Sequence, residues 1–187
     1  MVGVRKHWVW CVGVAGLLLC SACENDMQKV AALNHRNVTP EEGHGIDAYM
    51  SQAGRTKARL QAPFMLRYMV DTVRIEFPRT LHVDFYDSLL VIESMLDARY
   101  GIYYENLNKV YLSDHVKILN LAKKDTIYCQ DLYWDQNTGK FYTYRAVEIH
   151  QPTQTLFGKG MHATQDFANV TIDTVTGIVQ VKNGQLP

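Results

Sequence analysis

The sequence predicts an all-β fold, a sandwich or barrel of short antiparallel strands. Three observations predict it. Residues 132–143 form a clear hairpin: Leu132, Tyr133 and Trp134 on one side and Phe141, Tyr142 and Thr143 on the other flank the turn Asp135-Gln136-Asn137-Thr138-Gly139. Aromatic residues and Thr favour strands, and Gly139 can take the positive φ that closes a longer hairpin loop. Apolar and polar residues also alternate with period two over many short runs from about Ile46 onward, between turn signals. Finally, the helical competitor is weak. Residues 50–60 could wind a couple of turns, but Gly54 interrupts them.

The elements follow in chain order. Residues 1–22 read as a lipoprotein signal peptide. Arg5, Lys6 and His7 form a basic start, and residues 8–20 carry no charge. That run is shorter than the roughly 20 apolar residues a membrane-spanning helix needs. It ends in Leu19-Cys20-Ser21-Ala22-Cys23, where two small residues precede Cys23. This favours Cys23 as the lipidated residue over Cys20, which follows the bulky Leu19. An uncleaved membrane anchor is the alternative. Residues 23–45 are polar, aperiodic and rich in turn formers, and read as a flexible tether with an r.m.s. span of about 25 Å. The β domain is expected over 46–187.

Within that domain, Lys57 to Ala62 alternate before Pro63, and Val73, Ile75 and Phe77 alternate before Pro78. Leu81, Val83 and Phe85 form the next run. Ile92, Ser94, Leu96, Ala98, Tyr100 and Ile102 make a long one. Val110, Leu112, Val116 and Ile118 continue, with Asp114 breaking the apolar face. The hairpin strands follow, then Val147 and Ile149 before Pro152, Leu156 to Ala163, Val170 with Ile172, and Ile178 to Val181. The unit that begins at Val110 recurs loosely about 37 residues later at Val147, which suggests stacked strand layers. Gly158 and Gly160 mark either a bulge or a place where another backbone or a ligand approaches closely.

Composition narrows the function. Hydrophobic content of 47% and charged content of 20% are ordinary for a globular chain. Zero formal charge argues against nucleic-acid binding, which needs a basic face. Without the signal segment only Cys129 remains besides the anchor candidate, so no intramolecular disulfide is expected. Its strand-like neighbours predict a buried thiol. The seven histidines lack zinc-site spacing and a cysteine pair. No carboxylate pair or nucleophile elbow calls for catalysis. We therefore expect neither an enzyme, a metal nor a cofactor.

The order of several motifs carries a resemblance. They are Phe77-Pro78, Val83-Asp84-Phe85-Tyr86, Ser94-Met95-Leu96-Asp97-Ala98-Arg99-Tyr100-Gly101, Val110-Tyr111-Leu112-Ser113-Asp114-His115-Val116, Asp131-Leu132-Tyr133-Trp134-Asp135, and Phe157-Gly158-Lys159-Gly160-Met161 with Asp166-Phe167. Over residues 50–181 the chain resembles the OstA-like periplasmic domains of lipopolysaccharide export, most closely the LptC type in lipoprotein-anchored form. The best-known members carry a transmembrane helix in place of a lipobox. The resemblance implies a twisted, open β-jellyroll with an apolar interior. It also implies a periplasmic component, anchored here to the inner membrane by Cys23. Such a component accepts lipopolysaccharide from an inner-membrane ABC transporter and passes it to a bridge protein of the same fold by edge-to-edge docking.

On that reading the lipid-contact candidates are Ile92, Leu96, Tyr100, Leu112, Val116 and Ile118; plain core packing is the competing role for each. The partner edges would be the last strand, with Ile178, Val179 and Val181, and the strand at residues 57–62. The alternative function is an adaptor lipoprotein whose β domain only docks protein partners.

Overall fold

The structure, a computed structural model, describes residues 39–69 and 72–180. The signal peptide, Cys20, Cys23, most of the tether and Val181 lie outside these residues. Eleven antiparallel strands and one short 3-10 turn make up the domain. They are β1 (Glu41–Gln52), β2 (Arg55–Tyr68), β3 (Arg74–Phe77), β4 (Leu81–Tyr86), β5 (Ile92–Ala98), β6 (Tyr100–Tyr104), β7 (Lys109–Asn120), β8 (Asp125–Asp135), β9 (Lys140–His150), β10 (Gln154–Thr164) and β11 (Val170–Gln180). The turn, Glu105–Leu107, joins β6 to β7.

The all-β expectation holds, and the jellyroll form follows from how two long strands share partners. One side of β2 pairs with β4 through residues 58–61 and with β3 through residues 66–68. One side of β7 pairs with β6 through residues 109–113 and with β5 through residues 117–120. Because β4 pairs with β5 and β3 with β6, two strand bridges connect β2 to β7. The single sheet therefore branches and closes on itself. Its remaining strands continue from β7 through β8, β9 and β10 to β11, while β1 covers the other side of β2.

A crease crosses the long strands where the branches diverge. Registers shift between Ser113 and Val116 in β7, between Cys129 and Tyr133 in β8, and between Lys159 and Met161 in β10. Each bulge inserts unpaired backbone and bends its strand. Asp114 and His115 take φ of 63° and 56° there, and Gly160 takes 75°. A bulge also flips the side that faces inward. In β8 the buried residues run Ile127, Cys129, Asp131, then Leu132, Trp134. In the β5–β6 segment they run Ser94, Leu96, Ala98, then Gly101, so Tyr100 and Ile102 leave the face that Leu96 occupies.

The core lies inside the fold of the sheet. Phe85 of β4 meets Trp134, Phe141 and Phe167 edge-on, at centroid distances of 5.9, 5.8 and 6.0 Å. Trp134 and Phe141 stack at 5.1 Å, and Phe141 and Phe167 at 4.7 Å. Both geometries suit the aromatic quadrupole. Buried Asp131 accepts hydrogen bonds from Thr143 Oγ1 at 2.7 Å and Arg145 Nε at 3.0 Å, which satisfies this largely buried carboxylate at the crease. Cys129 is buried as expected; burial first, and then the Asp131 carboxylate, push its thiol up to about 12.

Two expectations are corrected. The sheet begins at Glu41, so residues 41–45, read as tether, are strand. The strand at residues 57–62 is not an edge, because β1 pairs with β2 along its length. The turn after Asp135 matches its reading: Asp135 pairs with Lys140, Gly139 has φ 64°, and Asn137 and Thr138 are exposed.

Candidate functional site: an apolar cavity and two open edges

Inside the folded sheet lies a cavity of about 270 Å³. Its walls come from both branches. β1 and β2 give Ala48, Tyr49, Met50, Ala58 and Leu60; β3 and β4 give Ile75, Phe77, Leu81, Val83 and Phe85. Leu96, Tyr103, Val110, Leu112, Trp134 and Phe141 complete it, with Gln136 the single amide. No charged side chain lines it. Close packing leaves few natural voids larger than a water molecule, and an apolar cavity of about 150 Å³ already stays dry and takes small hydrocarbons. This cavity is nearly twice that size.

The alternation of each strand creates these walls. Leu96 and Ile118 are cross-strand partners, as are Gly101 and Leu112. Gly101 lacks a side chain where one would strike Leu81 Cδ2 at 2.9 Å and Leu112 Cδ2 at 3.1 Å, so the two leucines close over the backbone. On the outer side, Arg67 donates twice to Glu105, at 2.9 and 3.1 Å, and ties β2 to the 3-10 turn. Asn137 Nδ2 donates to the Leu107 carbonyl and Asn108 Nδ2 to Asn137 Oδ1, both at 3.1 Å. These bonds join that turn to the β8–β9 turn at the rim.

The six lipid-contact candidates fall in three places. Leu96 and Leu112 line the cavity. Val116 and Ile118 are buried in the core beyond its walls. Ile92 and Tyr100 are half-buried and do not line it. Most of the wall on the β1–β4 side went unforeseen. Period-two runs at residues 81–85 and 57–62 marked those residues as inward-facing, but only the pairing of β2 with β4 brings them opposite Leu112 and Trp134.

The second feature is the edges. Among the described residues, β1 pairs only with β2 and β11 only with β10. β11 exposes Val175, Ile178 and Val179 by 52%, 58% and 56%, which is unusual for an unpaired strand. Among the described residues no group of three His, Cys, Asp or Glu is placed to hold a metal, and no helix is long and apolar enough to cross a membrane.

Fold and cavity together define an open β-jellyroll with an apolar interior and, among the described residues, two edge strands paired on one side only. The model of the LptC-related family of lipopolysaccharide assembly matches residues 45–178, well over half of the chain, and the protein belongs to that family. Membership gives it a role in lipopolysaccharide transport, as a periplasmic, membrane-associated component. No curated protein matches the sequence.

Proposed function

We propose that this protein is a non-enzymatic carrier in lipopolysaccharide export. It takes acyl chains from an inner-membrane ABC transporter into the apolar cavity. It then hands them to a periplasmic bridge protein of the same fold, which docks against an edge strand. The observation that carries this reading is the cavity itself: uncharged, walled by both branches of the sheet, open on one side at Tyr49 and far larger than packing defects. Each methylene moved from water into such a site gains about 0.8 kcal/mol, so a chain of several methylenes has a strong reason to enter. The unpaired edges of β1 and β11 support the docking step, because an exposed edge can add a strand from a second sheet.

The test is crosslinking in cells. With p-benzoylphenylalanine at Tyr103 or Leu112, both on the cavity wall, ultraviolet light is expected to give lipopolysaccharide adducts. The same probe at exposed Lys117 is expected to give none. Adducts absent at all wall positions would overturn the carrier reading and leave a docking adaptor.

The anchor is proposed at Cys23, on the small residues that precede it, because a multiply acylated cysteine holds a domain at a membrane. Cys23→Ala is expected to abolish acyl labelling. Retained labelling would move the anchor to Cys20.

A further inference from the structure

Three apolar residues in a row stand in solvent at one end of the sheet. Leu89, Leu90 and Val91, in the turn between β4 and β5, are 80%, 62% and 59% exposed. A run of exposed apolar residues this long is a fault in a folded domain unless it serves a function, and exposed apolar patches mark interaction sites. The turn is built to present them. Asp87 Oδ1 accepts hydrogen bonds from the amides of Leu89 and Val91 at 2.8 and 2.9 Å. The Asp87 amide donates to the Val91 carbonyl at 2.9 Å, and the Leu90 amide to the Asp87 carbonyl at 3.3 Å. Leu90 holds a φ of 62°, which a bulky residue rarely adopts. The backbone thus fixes a projecting apolar tip instead of folding it inward.

The surroundings of the tip identify what it meets. The β1–β2 turn lies on one side, where Gly54 and Arg55 share a cleft with Asp87 and Leu90. The β7–β8 turn lies on another, where the Leu121 amide donates to the Glu93 carbonyl at 3.0 Å. These turns add a further apolar side chain, Leu121, which is 40% exposed, and the exposed cations Arg55 and Lys124. A third exposed cation, Lys123, donates to the Ala168 carbonyl at 2.5 Å. The carboxylates at this end, Asp87, Glu93, Asp125 and Asp166, are all half-buried. Asp87 and Asp166 accept from backbone amides. Cations therefore stand outermost around the apolar tip. An anionic lipid surface suits that arrangement, because it takes up apolar side chains and attracts Lys and Arg. A protein partner suits it less. Three side chains on a tip fall well short of the roughly 800 Å² per partner of a stable protein interface, and a projecting tip needs a matching pocket that a bilayer does not have to supply.

We propose that the Leu89-Leu90-Val91 tip inserts into the surface of a phospholipid bilayer, with Arg55 and Lys124 against its anionic headgroups. The proposal rests on the membrane association of the family and not on the carrier reading. The tip lies at the far end of β1 from Glu41, where the chain enters the domain. The 12 residues of β1 span about 40 Å at ~3.3 Å per residue. Residues 24–40 reach at most roughly 60 Å when fully extended. A domain held at Cys23 can therefore lay this end on the membrane that anchors it.

The experiment places the fluorescent residue dansylalanine at Leu90 of the full chain, which leaves the cysteines untouched. The chain is reconstituted in vesicles of phosphatidylethanolamine and phosphatidylglycerol, with plain or brominated acyl chains. Emission from the Leu90 position is expected to shift to the blue and to fall by about half with the brominated lipids, as an apolar face about 5–10 Å deep requires. The same residue at Tyr144, 64% exposed on β9, is expected to be blind to the bromines. No quenching at Leu90, or equal quenching at Tyr144, overturns the insertion. The double variant Arg55→Glu, Lys124→Glu is expected to weaken the quenching severalfold; undiminished quenching overturns the headgroup contact. In cells, p-benzoylphenylalanine at Leu90 is expected to give phospholipid adducts under ultraviolet light. Adducts to protein alone overturn the lipid assignment. None of these probes touches the cavity, so a failure of lipopolysaccharide crosslinking at Leu112 removes the carrier reading and leaves this inference standing.

Discussion

His82 shows how a single side chain carries information that its sequence neighbourhood conceals. It lies on β4 with Nδ1 2.7 Å from Asp97 Oδ1 and Nε2 3.0 Å from Asp84 Oδ1. Burial of the imidazole works against its charged form, but the hydrogen bonds to Asp97 and Asp84 outweigh it and hold the pKa above the ordinary histidine value. A group whose folded pKa is raised binds its proton more tightly when folded. Its contribution to stability is therefore complete below the unfolded pKa, about 6.5, and is lost as pH rises through the folded value. Urea unfolding of the wild type and His82→Gln is expected to show the wild type ahead at about pH 6 and the gap closing towards pH 9. A gap that stays constant across that range would remove the ion pair from the account. The two-residue spacing of His82 and Asp84 is visible in the sequence, whereas Asp97 reaches His82 only because the two are cross-strand partners of β4 and β5.

At the scale of elements, the crease governs the fold, and glycine is what permits it on β10. A Cβ at Gly158 would lie 2.3 Å from Ile172 Cγ2 and 2.8 Å from the backbone oxygen of Thr174. The backbone contact cannot yield unless β11 moves. At Gly160 the φ of 75° strains any other residue, and a Cβ would also strike the Asp173 carboxylate at 2.2 Å, though that flexible side chain can swing away. Gly158→Ala is accordingly expected to cost about 1–3 kcal/mol through overpacking and to raise amide hydrogen exchange in β11. Gly160→Ala should cost about 1–2 kcal/mol through strain, with β11 left protected. A Gly158→Ala cost within about 0.5 kcal/mol, typical of surface sites, would show that the close approach is not needed. Two glycines in a strand-like run signalled a bulge or a close approach, and both occur. The bulges of β7 and β8 gave no comparable signal. Asp114 breaks the apolar alternation in sequence, but only the registers on either side of Asp114-His115 reveal that the pair turns the sheet. β1 was hidden for a related reason. It is half-covered at best along its length, and a strand without a buried face leaves no alternation to read.

The whole molecule poses the question of how a sheet with free ends avoids indiscriminate pairing yet keeps an edge available. Long edge strands usually carry charge or bulges to discourage pairing. β1 follows this rule with Glu41, Glu42 and Asp47, the last paired to Arg59 of β2 by two hydrogen bonds of 2.8 and 2.6 Å. β11 carries Asp173 and a bulge at Thr176, yet it leaves Val175, Ile178 and Val179 all more than half exposed. Apart from β1, the strands were legible one by one from their period of two. The difference between the two ends was not, because it depends on which strands the branched sheet leaves outermost. If the bridge protein docks on the β11 edge, whose apolar side chains are the more exposed, charge placed there should act as it does on β1. The double variant Ile178→Asp, Val179→Asp is expected to abolish co-purification of the periplasmic bridge protein from crosslinked cells. Its own unfolding midpoint should stay near that of the wild type, since both side chains already face water and surface substitutions cost about 0.5 kcal/mol or less. Tyr49→Asp, at a 62% exposed position on β1, serves as the matched change on the opposite edge and is expected to spare that interaction. Loss of the bridge protein from the β1 variant alone would reverse the assignment of the edges. Full retention in both would remove edge pairing as the means of transfer and leave the cavity to deliver its cargo by another face.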